Sequence, residues 1–171
     1  MSYPQLYPSQ PPAPGYAGEV PLWAPHYGAS ISVAFKRFWK KYATFSGRAS
    51  RSEYWYWTLI TTVVTVVLEI IAGIAGGAGA SVSANGTTMM GAGGGIVFLI
   101  LGLWGLATVV PSLALLARRL HDGNFSALLI LIGLIPVLGA ITLFVLALMP
   151  SNPQGQRFDQ PVGEYSAAGR A

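Results

Sequence analysis

Charged residues are scarce in this sequence: they make up 9% of its 171 residues, whereas 53% are hydrophobic. Soluble domains carry about 25% charged residues. A soluble fold of this composition would leave much of its surface without ionic groups. The apolar residues are therefore predicted to face a medium other than water.

Cysteine is absent, and histidine occurs only as His26 and His121. These absences exclude disulfide frameworks, thiolate zinc sites and cysteine nucleophiles, and they argue against a His-rich metal site. His121 precedes Asp122, but no serine-nucleophile motif or phosphate-binding glycine loop accompanies the pair. We therefore predict a protein that is not an enzyme and has no metal or cofactor. The net charge of +4 is modest, and no nucleic-acid partner is expected.

Three long apolar stretches, at about 54–76, 95–117 and 125–149, each hold roughly 23 to 25 residues. About 20 such residues cross a bilayer core of about 30 Å as a helix. Together the stretches contain a single charged residue, Glu69. The sequence therefore predicts an all-α, polytopic membrane protein with three transmembrane helices in a domain covering residues 46–150.

The third stretch carries Gly133, Pro136 and Gly139 near its middle. Proline is tolerated in a membrane helix when neighbouring groups satisfy the freed carbonyl, which favours a kinked crossing. The alternative is a re-entrant segment that returns to the side it entered. A full crossing would place the polar C-terminal tail, residues 151–171, outside the cell.

The chain begins with a Pro-rich segment. Residues 1–28 hold seven of the twelve prolines and no Lys or Arg. They lack the basic and apolar regions of a cleavable signal, and their composition predicts a disordered tail.

A basic amphipathic helix is predicted over residues 29–45. Its apolar side chains recur at helical spacing, and they are Ile31, Phe35, Phe38, Trp39 and Tyr42. Its cations fall on the opposite side, and they are Lys36, Arg37, Lys40 and Lys41. This pattern is typical of a helix that lies in the interface of an anionic membrane, and we predict that location for it. The alternative is packing of the apolar face on the protein's own helices.

The cations also predict the topology. Six of the ten lie between Lys36 and Arg51, and two more, Arg118 and Arg119, lie between the second and third stretches. Residues 77–94 carry no charge. By the positive-inside rule the N-terminus and the connection between the second and third stretches are cytoplasmic.

Two polar motifs flank the apolar stretches. Ser50 and Glu53 have the spacing of a capping box immediately before the first stretch, which is followed by an aromatic belt over 54–57. The second motif, Arg-Arg-Leu-His-Asp-Gly-Asn at 118–124, is predicted to join the second and third stretches as a tight hairpin. Both motifs lie on the same predicted side of the membrane.

The pattern Phe-x-Gly-Arg-x-x-Arg-x-Glu-Tyr-Trp at 45–55, followed by Arg-Arg-Leu-His-Asp and a central Ile-Pro-x-x-Gly, resembles domain of unknown function 805. The resemblance covers about residues 35–158. It implies a small bacterial inner-membrane protein, and it implies no established activity.

The leading functional hypothesis is a surface on the cytoplasmic side that binds anionic lipid headgroups or a membrane-protein partner, which includes a second copy of this chain. Its candidate residues are Arg48, Arg51, Arg118, Arg119, His121 and Asp122. Guanidinium groups suit phosphate geometry. The alternative is a small oligomeric channel or a transporter subunit, with Glu69 as its intramembrane acid; otherwise Glu69 is structural. Two GxxxG pairs, Gly73/Gly77 and Gly91/Gly95, are candidates for close helix contact.

Overall fold

The computed structural model describes residues 20–22 and 24–159, so most of the predicted Pro-rich tail and the end of the predicted C-terminal tail lie outside the described residues. The fold is mostly helical, as predicted. Its helices are α1 (Ile31–Lys40), α2 (Arg51–Ala78), α3 (Ala92–Asp122) and α4 (Leu138–Leu148), with 3₁₀ helices at Ala127–Leu134 and Pro153–Phe158. A small antiparallel sheet of β1 (Ser81–Val82) and β2 (Thr88–Met89), which was not predicted, lies between α2 and α3.

Among the described residues, α2 and α3 are the two helices long and apolar enough to cross a membrane. With 28 and 31 residues at a rise of about 1.5 Å each, they are about 42 and 46 Å long, which exceeds a bilayer core of about 30 Å. Their large apolar side chains are largely exposed, as Ile74 (70%) and Leu106 (71%) illustrate. Helices that are apolar all round and unburied are suited to lipid.

The start of α2 is set by its capping box, which forms as predicted. Ser50 Oγ accepts a hydrogen bond from the backbone N–H of Glu53 at 3.2 Å. In return Glu53 Oε2 accepts from the backbone N–H of Ser50 at 2.9 Å. Two N–H groups that the helix leaves unpaired are thereby satisfied.

Glycines bring the C-terminal end of α2 close to the N-terminal end of α3. The backbone N–H of Gly91 donates to the carbonyl of Gly76 at 3.0 Å, and a Cβ on Gly91 would lie 2.6 Å from the Cα of Gly79. The contact therefore uses residues 76, 79, 91 and 94. Of the predicted glycines, Gly91 alone takes part, because Gly73, Gly77 and Gly95 have no described atom within 4 Å of such a Cβ.

The third apolar stretch does not form one long helix, so the third of the predicted spans over 125–149 is not confirmed. It consists of the 3₁₀ helix Ala127–Leu134, a turn, and α4. Pro136 cannot continue a helix ladder, and Val137 turns the chain with a left-handed φ of 63°. Gly139 then lets α4 return against the 3₁₀ helix, since a Cβ there would overlap the carbonyl oxygen of Ile132.

The 3₁₀ helix Ala127–Leu134 and α4 together form an apolar hairpin, and both of its ends lie at the C-terminal end of α3. The backbone N–H of Phe125 donates to the carbonyl of Leu120 at 2.9 Å, and Arg119 Nε donates to the carbonyl of Ala147 at 3.0 Å. Each limb is about 16 Å long at the usual rise per residue. The hairpin therefore reaches about half the thickness of a bilayer core, and residues 150–159 return to the end from which the hairpin left.

The Arg-Arg-Leu-His-Asp motif was predicted to lie in a connecting turn, but it forms the last turns of α3, which ends at Asp122. The following Gly123 donates its backbone N–H to the carbonyl of Arg119 at 3.4 Å. The helix continues through the motif because these polar side chains find partners within the fold.

Helix α1 forms inside the predicted 29–45 segment but packs differently from the expectation. The ring of Phe38 stacks on Trp57 of α2 with centroids 3.3 Å apart, and Trp39 meets the same ring edge-on at 6.0 Å. Ile31 and Phe35 stay exposed. Of the four cations predicted on the side opposite the apolar residues, Arg37 and Lys41 are buried whereas Lys36 and Lys40 are exposed.

Candidate functional site: a buried ionic cap

One end of the fold collects most of its ionic groups. We call it the polar cap: residues 20–53 as far as they are described, the end of α3 from Arg118 to Asp122, and residues 149–159. It holds every Asp and Glu of the described residues except Glu69. Buried charges are stable only when they are paired and hydrogen-bonded, so the partners of each group define what the polar cap can do.

Asp122 is the centre of the polar cap and is fully buried (0% exposed). Its Oδ2 lies 2.5 Å from Arg119 Nη1 and accepts a hydrogen bond from Ser151. Its Oδ1 accepts from the Tyr27 hydroxyl at 2.9 Å and lies 3.8 Å from Arg48 Nη1. One carboxylate thus joins α3 to three separate segments of the chain.

Arg119 and Tyr27 extend this centre in opposite directions. Arg119 donates Nε to the carbonyl of Ala147 at 3.0 Å and Nη2 to the carbonyl of Met149, so it holds the returning end of α4. Burial and the negative charge of Asp122 raise the pKa of Tyr27 to about 12. Tyr27 therefore remains a hydrogen-bond donor at neutral pH.

Arg48 and His121 fasten the C-terminal segment. Arg48 binds Asp159 through two nitrogens, with Nη2–Oδ2 at 2.7 Å and Nε–Oδ1 at 3.0 Å. The His121 ring stacks on Phe158 with centroids 4.0 Å apart, and its Nδ1 lies 3.1 Å from the carbonyl of Gly47. Gly155 fits tightly here, because a Cβ would lie 2.4 Å from the carbonyl oxygen of His121.

A second buried pair, Arg37 and Glu53, joins α1 to α2. Arg37 Nε donates to Glu53 Oε1, and the two side chains are 7% and 3% exposed. The Arg37 Nη groups donate to the carbonyls of residues 20, 21, 22 and 24. Glu53 Oε2 accepts from the backbone N–H of His26 at 3.3 Å. The pair therefore also holds the segment that precedes α1.

Arg51 borders a cavity of about 290 Å³ at the start of α2. Its side chain is exposed, and within residues 20–22 and 24–159 it is hydrogen-bonded through Nε alone, to the carbonyl of Met149 at 3.2 Å. The rest of the lining is rich in hydroxyl groups, and it consists of Tyr27, Gly28, Ser50, Ser52, Pro150 and Ser151. The cavity is thus a polar recess with one available guanidinium.

The structure brings the predicted arginines to one end of the molecule but does not leave them as one open surface. Arg48, Arg118 and Arg119 are buried, and so are His121 and Asp122. Of the four arginines, Arg51 is exposed. The physical reason is the presence of Asp122 and Asp159 in the same cap, which bind Arg48 and Arg119.

The remaining predicted residues lie apart from this centre. Phe35 is 44% exposed and Trp39 is half-buried. Glu69 is exposed on α2, 18 residues beyond Arg51 and therefore about 27 Å along the helix. Over the described residues, no group of three His, Asp or Glu side chains is arranged to hold a metal ion.

A family described as protein of unknown function (DUF805) matches residues 42–160 of this sequence. The chain belongs to this family. Inner membrane protein YhaI of Escherichia coli strain K12 is 36% identical over 114 residues, which are 62% of this chain and 75% of the relative. The YhaI protein of Escherichia coli O157:H7 matches with the same values. No solved structure matches.

The DUF805 match contains the centre of the polar cap, since Arg48, Glu53, Asp122 and Asp159 all fall within residues 42–160. Arg37 and Tyr27 lie before the matched residues, yet they bind two of these acids. In this DUF805 member the segment that precedes the matched region is therefore built into the same ionic network.

Sequence reasoning missed three residues of the site: Tyr27, Ser151 and Asp159. Asp159 carried a weak signal, because it is an acidic residue in the polar segment that follows the third apolar stretch. Tyr27 carried none, since it lies in a Pro-rich segment without periodicity. Ser151 could be recognised only once the third stretch was known to fold back.

Proposed function

We propose that this protein is a non-enzymatic inner-membrane protein that binds the headgroups of anionic phospholipids at the cavity beside Arg51. The observation that carries the proposal is the exposed Arg51 guanidinium on a hydroxyl-lined recess, at the polar end of two helices long enough to span a bilayer. Arginine offers paired N–H donors that match phosphate oxygens.

In this proposal α2 and α3 cross the inner membrane and the polar cap lies on the cytoplasmic side. Support comes from the charges: Lys36, Lys40 and Arg51 are exposed at the cap, and the loop between α2 and α3 carries no charge. Cations near the cytoplasmic surface are favoured by the positive-inside rule and by anionic lipid. The apolar hairpin at 127–148 then enters and leaves the membrane on the cytoplasmic side.

The size of the recess also supports a headgroup as ligand. Pockets that enclose drug-sized molecules measure about 300–1,000 Å³, and this one measures about 290 Å³. A phosphate with its glycerol fits such a volume, and the acyl chains would remain beside the exposed apolar helices. Transport past Glu69 has less support, because that side chain is exposed on α2 among apolar neighbours.

Arg51→Gln is expected to weaken binding of phosphatidylglycerol about fivefold, which corresponds to the roughly 1 kcal/mol that one cation contributes near an anionic surface. Binding of fluorescent phosphatidylglycerol to the purified protein in neutral detergent measures the effect, with phosphatidylcholine as the uncharged comparison. Arg157→Gln is the matched control, because Arg157 is also an exposed arginine of the polar cap but does not line the cavity. Equal affinity for the two lipids, or equal losses in the two variants, would contradict the proposal.

A further inference from the structure

Lys41 is a buried cation without a hydrogen-bond partner in the described part of the chain. It follows α1 directly, its residue is 3% exposed, and among the described residues its Nζ makes no hydrogen bond. Burial and, second, the positive charge of Arg118 lower the pKa of Lys41 to about 7. An anion beside this lysine would favour its protonated form.

Arg118 presents a second unsatisfied donor to the same region. The residue is 1% exposed, its Nε donates to the carbonyl of Ala114 at 3.1 Å, and its Nη2 makes no hydrogen bond to any described residue. Leaving a buried charged donor without a partner is strongly unfavourable. Within the described part of the chain, Arg118 thus lacks the carboxylate that its neighbour Arg119 has in Asp122.

The charges around the two cations do not balance. Arg37 of α1, Glu53 of α2, Arg118 of α3 and Asp159 of the C-terminal segment act on Lys41. Glu53 is already bonded by Arg37 and by two backbone N–H groups, and Asp159 is bound by Arg48. No carboxylate oxygen among the described residues contacts Lys41 or Arg118, so the region holds surplus positive charge.

The unsatisfied atoms here share one chemical property. Lys41 Nζ and Arg118 Nη2 are both donors. A region that lacks only acceptors is complementary to an anion, whose oxygens accept several hydrogen bonds.

We propose that Lys41 and Arg118 form an anion site, between α1 and the cytoplasmic ends of α2 and α3, that takes a phosphate oxyanion. The site is separate from the cavity beside Arg51 and does not depend on it. Lys41 lies between Lys40 and Tyr42, which are both exposed, so the backbone of Lys41 runs close to the surface of the polar cap. Two kinds of ligand carry such an oxyanion, namely the phosphodiester group of a membrane lipid and free phosphate.

Lys41→Met is expected to raise the melting temperature of the ligand-free protein at pH 6 and to abolish its increase on anion binding. Replacing an unpaired buried cation by an apolar side chain removes its desolvation penalty and so stabilises the folded state. The change also removes the donor that would bind the anion. For the wild-type protein, anion at a hundredfold excess over Kd is expected to raise Tm by about 5–10 °C. The measurement is thermal unfolding of the full chain in neutral detergent, with phosphatidylglycerol against phosphatidylcholine, and with inorganic phosphate against chloride at equal ionic strength.

The pH dependence gives a second readout. Between pH 7 and the ordinary lysine value of about 10.5 the unfolded chain binds more protons than the folded one, so ligand-free stability rises with pH there in the wild-type protein and not in Lys41→Met. The phosphodiester keeps one charge over this range, so its effect on Tm is expected to be larger at pH 6 than at pH 8, where Lys41 is mostly neutral.

Controls separate this site from its alternatives. Lys41→Arg is expected to keep the anion response, and Lys40→Met, on an exposed neighbour, to leave it unchanged. A response to inorganic phosphate alone identifies free phosphate as the source, and a response to phosphatidylglycerol alone identifies the lipid. The anion-induced rise in Tm, larger at pH 6 than at pH 8, is expected to persist in Arg51→Gln. It is therefore independent of whether the cavity beside Arg51 binds lipid.

Two results would overturn the site. One is an equal anion-induced rise, or none, in the wild-type and Lys41→Met proteins. The other is a lower Tm in Lys41→Met than in the wild-type protein without anion, which would show that Lys41 is already paired within the chain.

Discussion

Asp122→Asn is expected to destabilise the folded protein by about 3–5 kcal/mol, because it removes the charge that Arg119 faces inside the fold. Neither side chain of this pair is exposed. The same change weakens the hydrogen bonds from Tyr27 and Ser151. Tryptophan fluorescence during denaturant unfolding of the detergent-solubilised protein measures the loss.

The pairing can be separated from general damage by a double-mutant cycle. Arg119→Met alone leaves Asp122 buried without its closest cation, and the double variant removes both charges. Because the residues are in direct contact, the double variant is expected to lose less stability than the sum of the single variants. Glu69→Gln makes the same carboxylate-to-amide change at an exposed position and is expected to alter stability by less than about 0.5 kcal/mol. Additive losses at Asp122 and Arg119 would show that the pair does not stabilise the polar cap.

Arg37→Met is expected to lower stability by about 3–5 kcal/mol and to release α1 and the segment before it. The change leaves Glu53 buried without its cation, and it removes the donors that hold the carbonyls of residues 20, 21, 22 and 24. Hydrogen exchange should therefore become faster over α1 than over α2. Denaturant unfolding gives the total loss.

Lys36→Met is the matched control for this prediction. It replaces the adjacent cation of the same helix by the same residue, but Lys36 is exposed, so a change of less than about 0.5 kcal/mol is expected. If the two variants unfolded alike, or if exchange over α1 stayed slow in Arg37→Met, the Arg37–Glu53 pair would not be what docks α1.

The features that local sequence encodes were predicted well. The helix start at Ser50 and Glu53 follows from the spacing of two residues, and the positions of α2 and α3 follow from long apolar runs. The family was also recognised from two short polar motifs. Each of these signals is contained in a few neighbouring residues or in one uninterrupted stretch.

The features that depend on long-range contacts were not predictable. Gly133, Pro136 and Gly139 are compatible with a kinked helix and with a hairpin, and the choice depends on whether residues 147–149 can bind Arg119. The arginines were expected to form a binding surface, but Asp159 binds Arg48 from 111 positions away. Asp122 likewise joins Tyr27 and Ser151, which are 95 and 29 positions away from it. Burial of Arg37 and Lys41 likewise depends on where α1 packs, which its own amphipathic pattern leaves open.

Placement of the chain's segments relative to the membrane is the central claim, and single-cysteine labelling tests it most directly. The protein has no cysteine, so an introduced cysteine is its sole thiol. Asn85, Ser46 and Gln156 are exposed in the loop after α2, before α2 and after α4, respectively. With a membrane-impermeant maleimide on intact spheroplasts, we predict labelling of Asn85→Cys, and labelling of Ser46→Cys and Gln156→Cys only after permeabilisation. Labelling of Gln156→Cys together with Asn85→Cys in intact spheroplasts would contradict the account, because the third apolar stretch would then cross the membrane.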